Sequence, residues 1–109
     1  MVIHTNTWTW GESVLLVGFN GLGVIELYFE KKEPYVAYIS GLSVLPKARR
    51  KGCATVLMRE AERICYQREI FRIDLRSVKE QFVMDFYHKL GFVDIEEEEG
   101  LMRMYKMLR

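Results

Sequence analysis

The 109-residue chain carries 16 Lys and Arg against 15 Asp and Glu, a formal net charge of +1, and half of its residues are hydrophobic. That length suits a single domain, 1–109, with a real core, and the even charge balance argues against a nucleic-acid or membrane-surface protein. No apolar stretch is long enough to span a bilayer, and the start, MVIHTNTWTWGES, lacks the basic and apolar regions of a secretory leader, so a cytoplasmic location is expected.

Residues 2–10 alternate, with His4, Asn6, Trp8 and Trp10 on one side and Thr5, Thr7 and Thr9 on the other, which predicts a strand. SVLLVGF at 13–19 is an apolar strand. NGLG at 20–23 is a turn, because Asn–Gly tolerates the positive φ of a tight hairpin. VIELYFE at 24–30 is the next strand, KKEP at 31–34 a turn, and YVAYISGLSVL at 35–45 a longer strand. Gly41 inside it marks a bulge or a close backbone approach. From Gly52 to Arg68 the period changes: Cys53, Val56, Leu57, Ala61, Ile64 and Cys65 recur at helical spacing. IFRIDLRS at 70–77 alternates as a strand. Phe82, Val83, Phe86, Tyr87 and Leu90 form the stripe of a second helix, stopped by Gly91. FVDIE and LMRMYKML close the chain as a hairpin, with the acidic run Glu96–Glu99 read as its solvated turn.

The strand–helix–strand step implies a parallel pair with a right-handed crossover, and the hairpins imply antiparallel pairing elsewhere. The expectation is therefore an α/β (α+β mixed) domain whose helices pack on one mixed sheet. Cys53 and Cys65, on one helix, are about 18 Å apart along its axis, too far for a disulfide. Both are read as small buried hydrophobes in a reducing compartment. No metal site is expected.

One corner concentrates chemistry. In VLPKARRKGCATVL, 44–57, the bases Lys47, Arg49, Arg50 and Lys51 precede Gly52, and Cys53, Ala54 and Thr55 open a helix. The first amides of a helix lack internal partners, and the aligned peptide dipoles add positive potential there. A phosphate fits such a place. Gly52 has no side chain to hold it off. Walker A is absent, and GLGVIE stops short of the dinucleotide fingerprint GxGxxG.

With Val44, Pro46, Arg49, Gly52 and Ala54, this segment resembles the V-x-P-x-x-R-x-x-G-x-G/A coenzyme A loop of the GNAT superfamily of N-acetyltransferases. FYHKLGF at 86–92 resembles that family's second signature, FY-x-K-x-GF. The resemblance covers residues 13–108. It implies a mostly antiparallel sheet of six to seven strands with two main helices and splayed central parallel strands. It also implies acetyl-CoA as co-substrate, its pantetheine arm along Leu42, Ser43 and Val44 and its pyrophosphate on the amides from Arg49 or Arg50 through Lys51, Gly52, Cys53, Ala54 and Thr55. The implied reaction is direct acetyl transfer to a primary amine in a ternary complex. Tyr87 stands where the family places its general acid. The base is read as Glu26 or Glu30 of the preceding strand, acting directly or through water, or as backbone carbonyls with a water chain. His88 is read as surface.

The alternative is a fold of this type that binds coenzyme A or a partner without turnover. About 43 residues precede Val44, which leaves little room for the helices that open the family's domain. The acceptor groove is then open, lined by Trp8 and Trp10, or completed by a second copy in a homodimer. The acceptor, a small-molecule or protein amine, is not legible.

Overall fold

In the computed structural model, which describes residues 1–49 and 51–109, the elements run β1 (Val2–Trp8), β2 (Gly11–Gly18), β3 (Gly23–Glu30), β4 (Val36–Val44), α1 (Cys53–Gln67), β5 (Arg72–Val78), α2 (Gln81–Lys89), β6 (Val93–Glu98) and β7 (Leu101–Met107). Arg50 lies outside the described residues. The strands form one seven-stranded sheet in the order β1-β2-β3-β4-β5-β7-β6. Every neighbouring pair is antiparallel except β4 and β5. This is the mixed, mostly antiparallel sheet with two helices that the sequence implied.

One face of that sheet is the core. Register aligns Val14 with Leu27, Leu16 with Ile25, Leu27 with Ile39, Ile39 with Leu75, and Leu75 with Met104. All of these side chains are buried in one cluster with Leu57, Met58, Ala61 and Ile64 of α1 and Tyr87 of α2. Burying one such leucine or isoleucine is worth about 1.5–3 kcal/mol. α1 lies very close to β3: a Cβ at Gly23 would stand 2.9 Å from Leu57 Cδ1, so this strand position admits only glycine without local movement.

The helical stripes differ from the sequence expectation at three positions. Val56 is 48% exposed, and Met58, which the periodicity passed over, is fully buried. Phe82 is 72% exposed. In both helices the apolar arc is wider than the buried one, because each packs on the sheet from one side only.

The turns also refine the reading. Trp8 pairs with Gly11, so Thr9 and Trp10 form a tight hairpin turn and β2 begins two residues earlier than expected. Trp10 sits at that turn, 74% exposed, and leaves the strand face that Trp8 shares. The Asn20–Gly21 turn has the expected positive φ, 56° and 86°. The acidic run is not a solvated turn. Glu96 and Glu98 belong to β6 and lie 2.7 Å from Arg103 and Arg76, while Glu97 lies 2.6 Å from Lys79. These cross-strand charge pairs extend the strand to Glu98, and Glu99 and Gly100, both at positive φ, make the turn. Among the described residues, no helix is long and apolar enough to cross a membrane.

Candidate active site

The site starts from a fault in strand pairing. Glu26 of β3 faces Gly41 and its neighbour Leu27 faces Ile39, so Ser40 is an extra residue in β4. This is the bulge that Gly41 signalled, and a bulge bends its strand. Parallel pairing of β4 with β5 runs from Val36–Arg72 to Ile39–Leu75 and stops, although β4 continues to Val44 and β5 to Val78. The two strands separate around a cleft of about 330 Å³, lined by Ser40, Gly41, Leu42, Ser77, Val83 and Tyr87 among others. Backbone groups of β4 along this open edge are available to a ligand.

Beyond Leu42 the path reaches the mouth of α1. A second hollow, about 250 Å³, is lined by Val44, Arg49, Gly52, Cys53, Ala54, Thr55 and Phe86. Gly52 caps α1 at φ 78°, a left-handed conformation that favours glycine, and a Cβ there would meet nothing within 4 Å. The helix has no side-chain cap and no acidic residue in its first turn. Its amides and dipole therefore face the hollow without a competing negative charge. Arg49 is turned back on the strand, its Nε donating to the Val44 carbonyl at 2.9 Å. It braces the loop and lines the hollow. Lys51 is exposed and lines neither cavity, and Ser43 is exposed beside Val44, paired with Val24.

Tyr87 closes the cleft from α2. It is 91% buried by its neighbours (9% exposed), with its ring edge-on to Phe86 and Phe92. The end of α2 fixes it. Gly91, at φ 97°, donates to the His88 carbonyl at 3.0 Å, and Phe92 donates to the Tyr87 carbonyl at 3.1 Å. This is a Schellman cap with its hydrophobic contact between Tyr87 and Phe92. The motif FYHKLGF thus reads physically as a tyrosine, its cap and its wedge. Burial pushes the Tyr87 hydroxyl above the ordinary phenol range, so it keeps its proton. His88 is on the outer face, 2.7 Å from Asp94.

The face of the sheet opposite the helices holds the acids. Ser40 Oγ donates to Glu26 Oε1 at 2.7 Å. Ser40, with Ile39, Leu75 and Arg76, lines both the splay cleft and a broad cleft of about 790 Å³ over β4, β5 and β7, so the two spaces are neighbours there. Glu26 therefore reaches the splay through one hydroxyl. Glu30 lies farther along β3, 3.7 Å from Lys32. Trp8 stacks on Tyr28 over the same face.

The structure places Leu42 and Tyr87 on the splay cleft, and Val44, Arg49, Gly52, Cys53, Ala54 and Thr55 on the hollow at the mouth of α1, with Glu26 reaching the splay through Ser40. The roles of Ser40 and Phe86 were not legible beforehand. Gly41 was the one signal for Ser40, and Phe86 needed the packing of α2 against the mouth of α1. Both cysteines are buried free thiols, and burial together with Glu62 pushes Cys65 up to about 12.

The sequence model described as Acetyltransferase (GNAT) family matches residues 5–92. No curated protein sequence matches the chain. Among solved structures, PaiA N-acetyltransferase from Thermoplasma acidophilum in complex with coenzyme A is similar, at TM-score 0.74 and 22% identity over 89% of this chain. An acetyltransferase of the GNAT family from Staphylococcus aureus Mu50 is similar at TM-score 0.73 and 18% identity over 91%. An aminoglycoside 6′-N-acetyltransferase complexed with coenzyme A is similar at TM-score 0.72 and 16% identity over 91%. The chain spans 59%, 68% and 73% of these three proteins.

Proposed function

From the premise that the chain belongs to the acetyltransferase (GNAT) family, we propose that it transfers an acetyl group from acetyl-CoA to a primary amine, directly and in a ternary complex. The observation that carries this reading is the splay of β4 from β5 beside the bulge at Ser40, followed along the chain by the hollow at the acid-free mouth of α1. The pyrophosphate of coenzyme A is held by the amides of Gly52 to Thr55. Its pantetheine arm runs along Leu42 to Val44, between β4 and β5. The open space at Gly52 and the absence of any first-turn carboxylate fit a dianionic group there. Both similar coenzyme A complexes have this fold.

The acyl carbon then lies between Tyr87 and Ser40. A neutral amine attacks it, the new C–N bond forms and the C–S bond breaks. The leaving thiolate takes the proton of the Tyr87 hydroxyl, which burial has kept in place. The amine's surplus proton passes through Ser40 Oγ to Glu26. The protein supplies orientation, since both reactants meet at a cleft whose walls are strands and not loops.

The reading is tested by calorimetric titration with acetyl-CoA of the wild type and Thr55→Glu. A carboxylate in the first turn suits the helix dipole but repels a pyrophosphate. Binding by the wild type, with at least about a tenfold loss in a variant of undiminished thermal stability, is expected. A wild type that does not bind, or a variant that binds equally well, sinks the proposal.

A further inference from the structure

The broad cleft over β4, β5 and β7 has two chemically different ends, and they decide what amine it takes. At the β7 end the cations are already matched: Arg76 lies 2.7 Å from Glu98, and Arg103 lies 2.7 Å from Glu96. At the β3–β4 end two carboxylates are not. Among the described residues, Glu26 is held only by the Ser40 hydroxyl and Glu33 only by the Tyr38 hydroxyl; neither has a salt-bridge partner. Asp74, 7% exposed, lines the same cleft. Arg72 matches it: Nε lies 2.8 Å from Oδ1, and Nη2 donates to Oδ2 at 3.1 Å.

Aromatic rings complete this end. Trp8, Tyr28 and Tyr38 form a row, with centroids 5.5 and 6.3 Å apart. Ring faces beside carboxylates attract alkylammonium groups. Burial first, and then Glu33, Asp74 and Glu30, push Tyr38 up to about 12. We propose that the acceptor is a linear diamine or polyamine, its reacting nitrogen at Ser40 and Glu26 and its second, protonated nitrogen over Tyr28 and Tyr38 against Glu33. This deepens the acetyltransferase reading and rests on it.

The spacing supports a small linear amine. Ser40 and Tyr38 lie two residues apart on one strand, about 7 Å. Extended chain covers roughly 3.5 Å in three bonds, so about six bonds bridge the two points. 1,4-Diaminobutane has nearly that reach. A lysine side chain in a protein offers one nitrogen and leaves Glu33 unmatched.

The test compares butylamine, 1,4-diaminobutane, 4-aminobutanoate and a lysine-containing peptide as acceptors, together with calorimetric titration of the first two into protein saturated with coenzyme A. The diamine is expected to exceed butylamine by about tenfold or more in kcat/KM and in affinity, with 4-aminobutanoate last. Glu33→Gln and Tyr28→Ala should each move the diamine-to-butylamine ratio toward one. Equal use of diamine and butylamine, a preference for 4-aminobutanoate, or turnover of the peptide but not the diamine overturns the inference and leaves the acetyltransferase reading standing. Failure of acetyl-CoA to bind overturns the reading itself. If no amine turns over, the titrations still decide: no affinity preference for the diamine overturns the inference.

Discussion

The amide of Phe92 donates to the carbonyl of Tyr87 at 3.1 Å, and their rings meet edge to face with centroids 6.0 Å apart. A helix cap and a candidate catalytic side chain are thus one structural unit. Gly91 makes the bond possible through its φ of 97°, and a Cβ there would approach Lys106 Cε to 3.3 Å. Gly91→Ala should cost about 1–2 kcal/mol and lower kcat more than acetyl-CoA affinity, because Tyr87 loses its seat. Chemical denaturation and steady-state kinetics check this. A variant with unchanged stability and rate would separate the cap from the site.

Tyr87→Phe removes one hydroxyl and keeps the ring packing with Phe86 and Phe92. If Tyr87 gives its proton to the thiolate, kcat falls about a hundredfold or more, while acetyl-CoA affinity measured by calorimetry stays within a factor of about two. Retained turnover would assign the proton to water and leave Tyr87 a core residue.

Ser40 and Glu26 act in series in the proposed reaction, joined by a 2.7 Å hydrogen bond. Ser40→Ala and Glu26→Gln should each reduce kcat, and the double variant should be no slower than the slower single one, since groups acting as a unit are not additive. Multiplied losses in the double variant would place the two residues in separate steps.

The alkaline limit of stability follows from Cys65, whose thiol is pushed up to about 12 from an ordinary value of 9.0 by burial, then by Glu62. Above about pH 9 the unfolded chain loses this proton and the folded one keeps it. Stability therefore falls as pH rises, by up to about 1.4 kcal/mol per unit between pH 9 and 12. Tyr87, shifted in the same direction, adds to the fall above pH 10. Urea midpoints across this range should drop for the wild type and drop less steeply for Cys65→Ala. Parallel slopes would show that Cys65 titrates alike in both states.

Much of the fold was legible because its signals are local. Alternation and helical spacing marked every element, Asn20–Gly21 and Gly91 marked two chain reversals, and the paired motifs at 44–54 and 86–92 pointed to the mouth of α1 and to Tyr87. Where local pattern misled, a partner distant in sequence was the cause. The acidic run looked like a solvated turn until Arg76, Lys79 and Arg103 turned it into a strand. Val56 and Phe82 fit apolar stripes that only one-sided packing could leave exposed.

By itself, then, the sequence determined the order and type of the elements, the phosphate-seat pattern and its glycine, since these depend on neighbours within a turn or two. Only the tertiary structure decided which charges remain unmatched. Glu26 faces Ser40 across a bulge, and Glu33 meets Tyr38 while Arg76 of β5 and Arg103 of β7 are taken by β6. Pairing of charges depends on strand order and register, which join residues far apart in the chain, and no spacing along the chain encodes it.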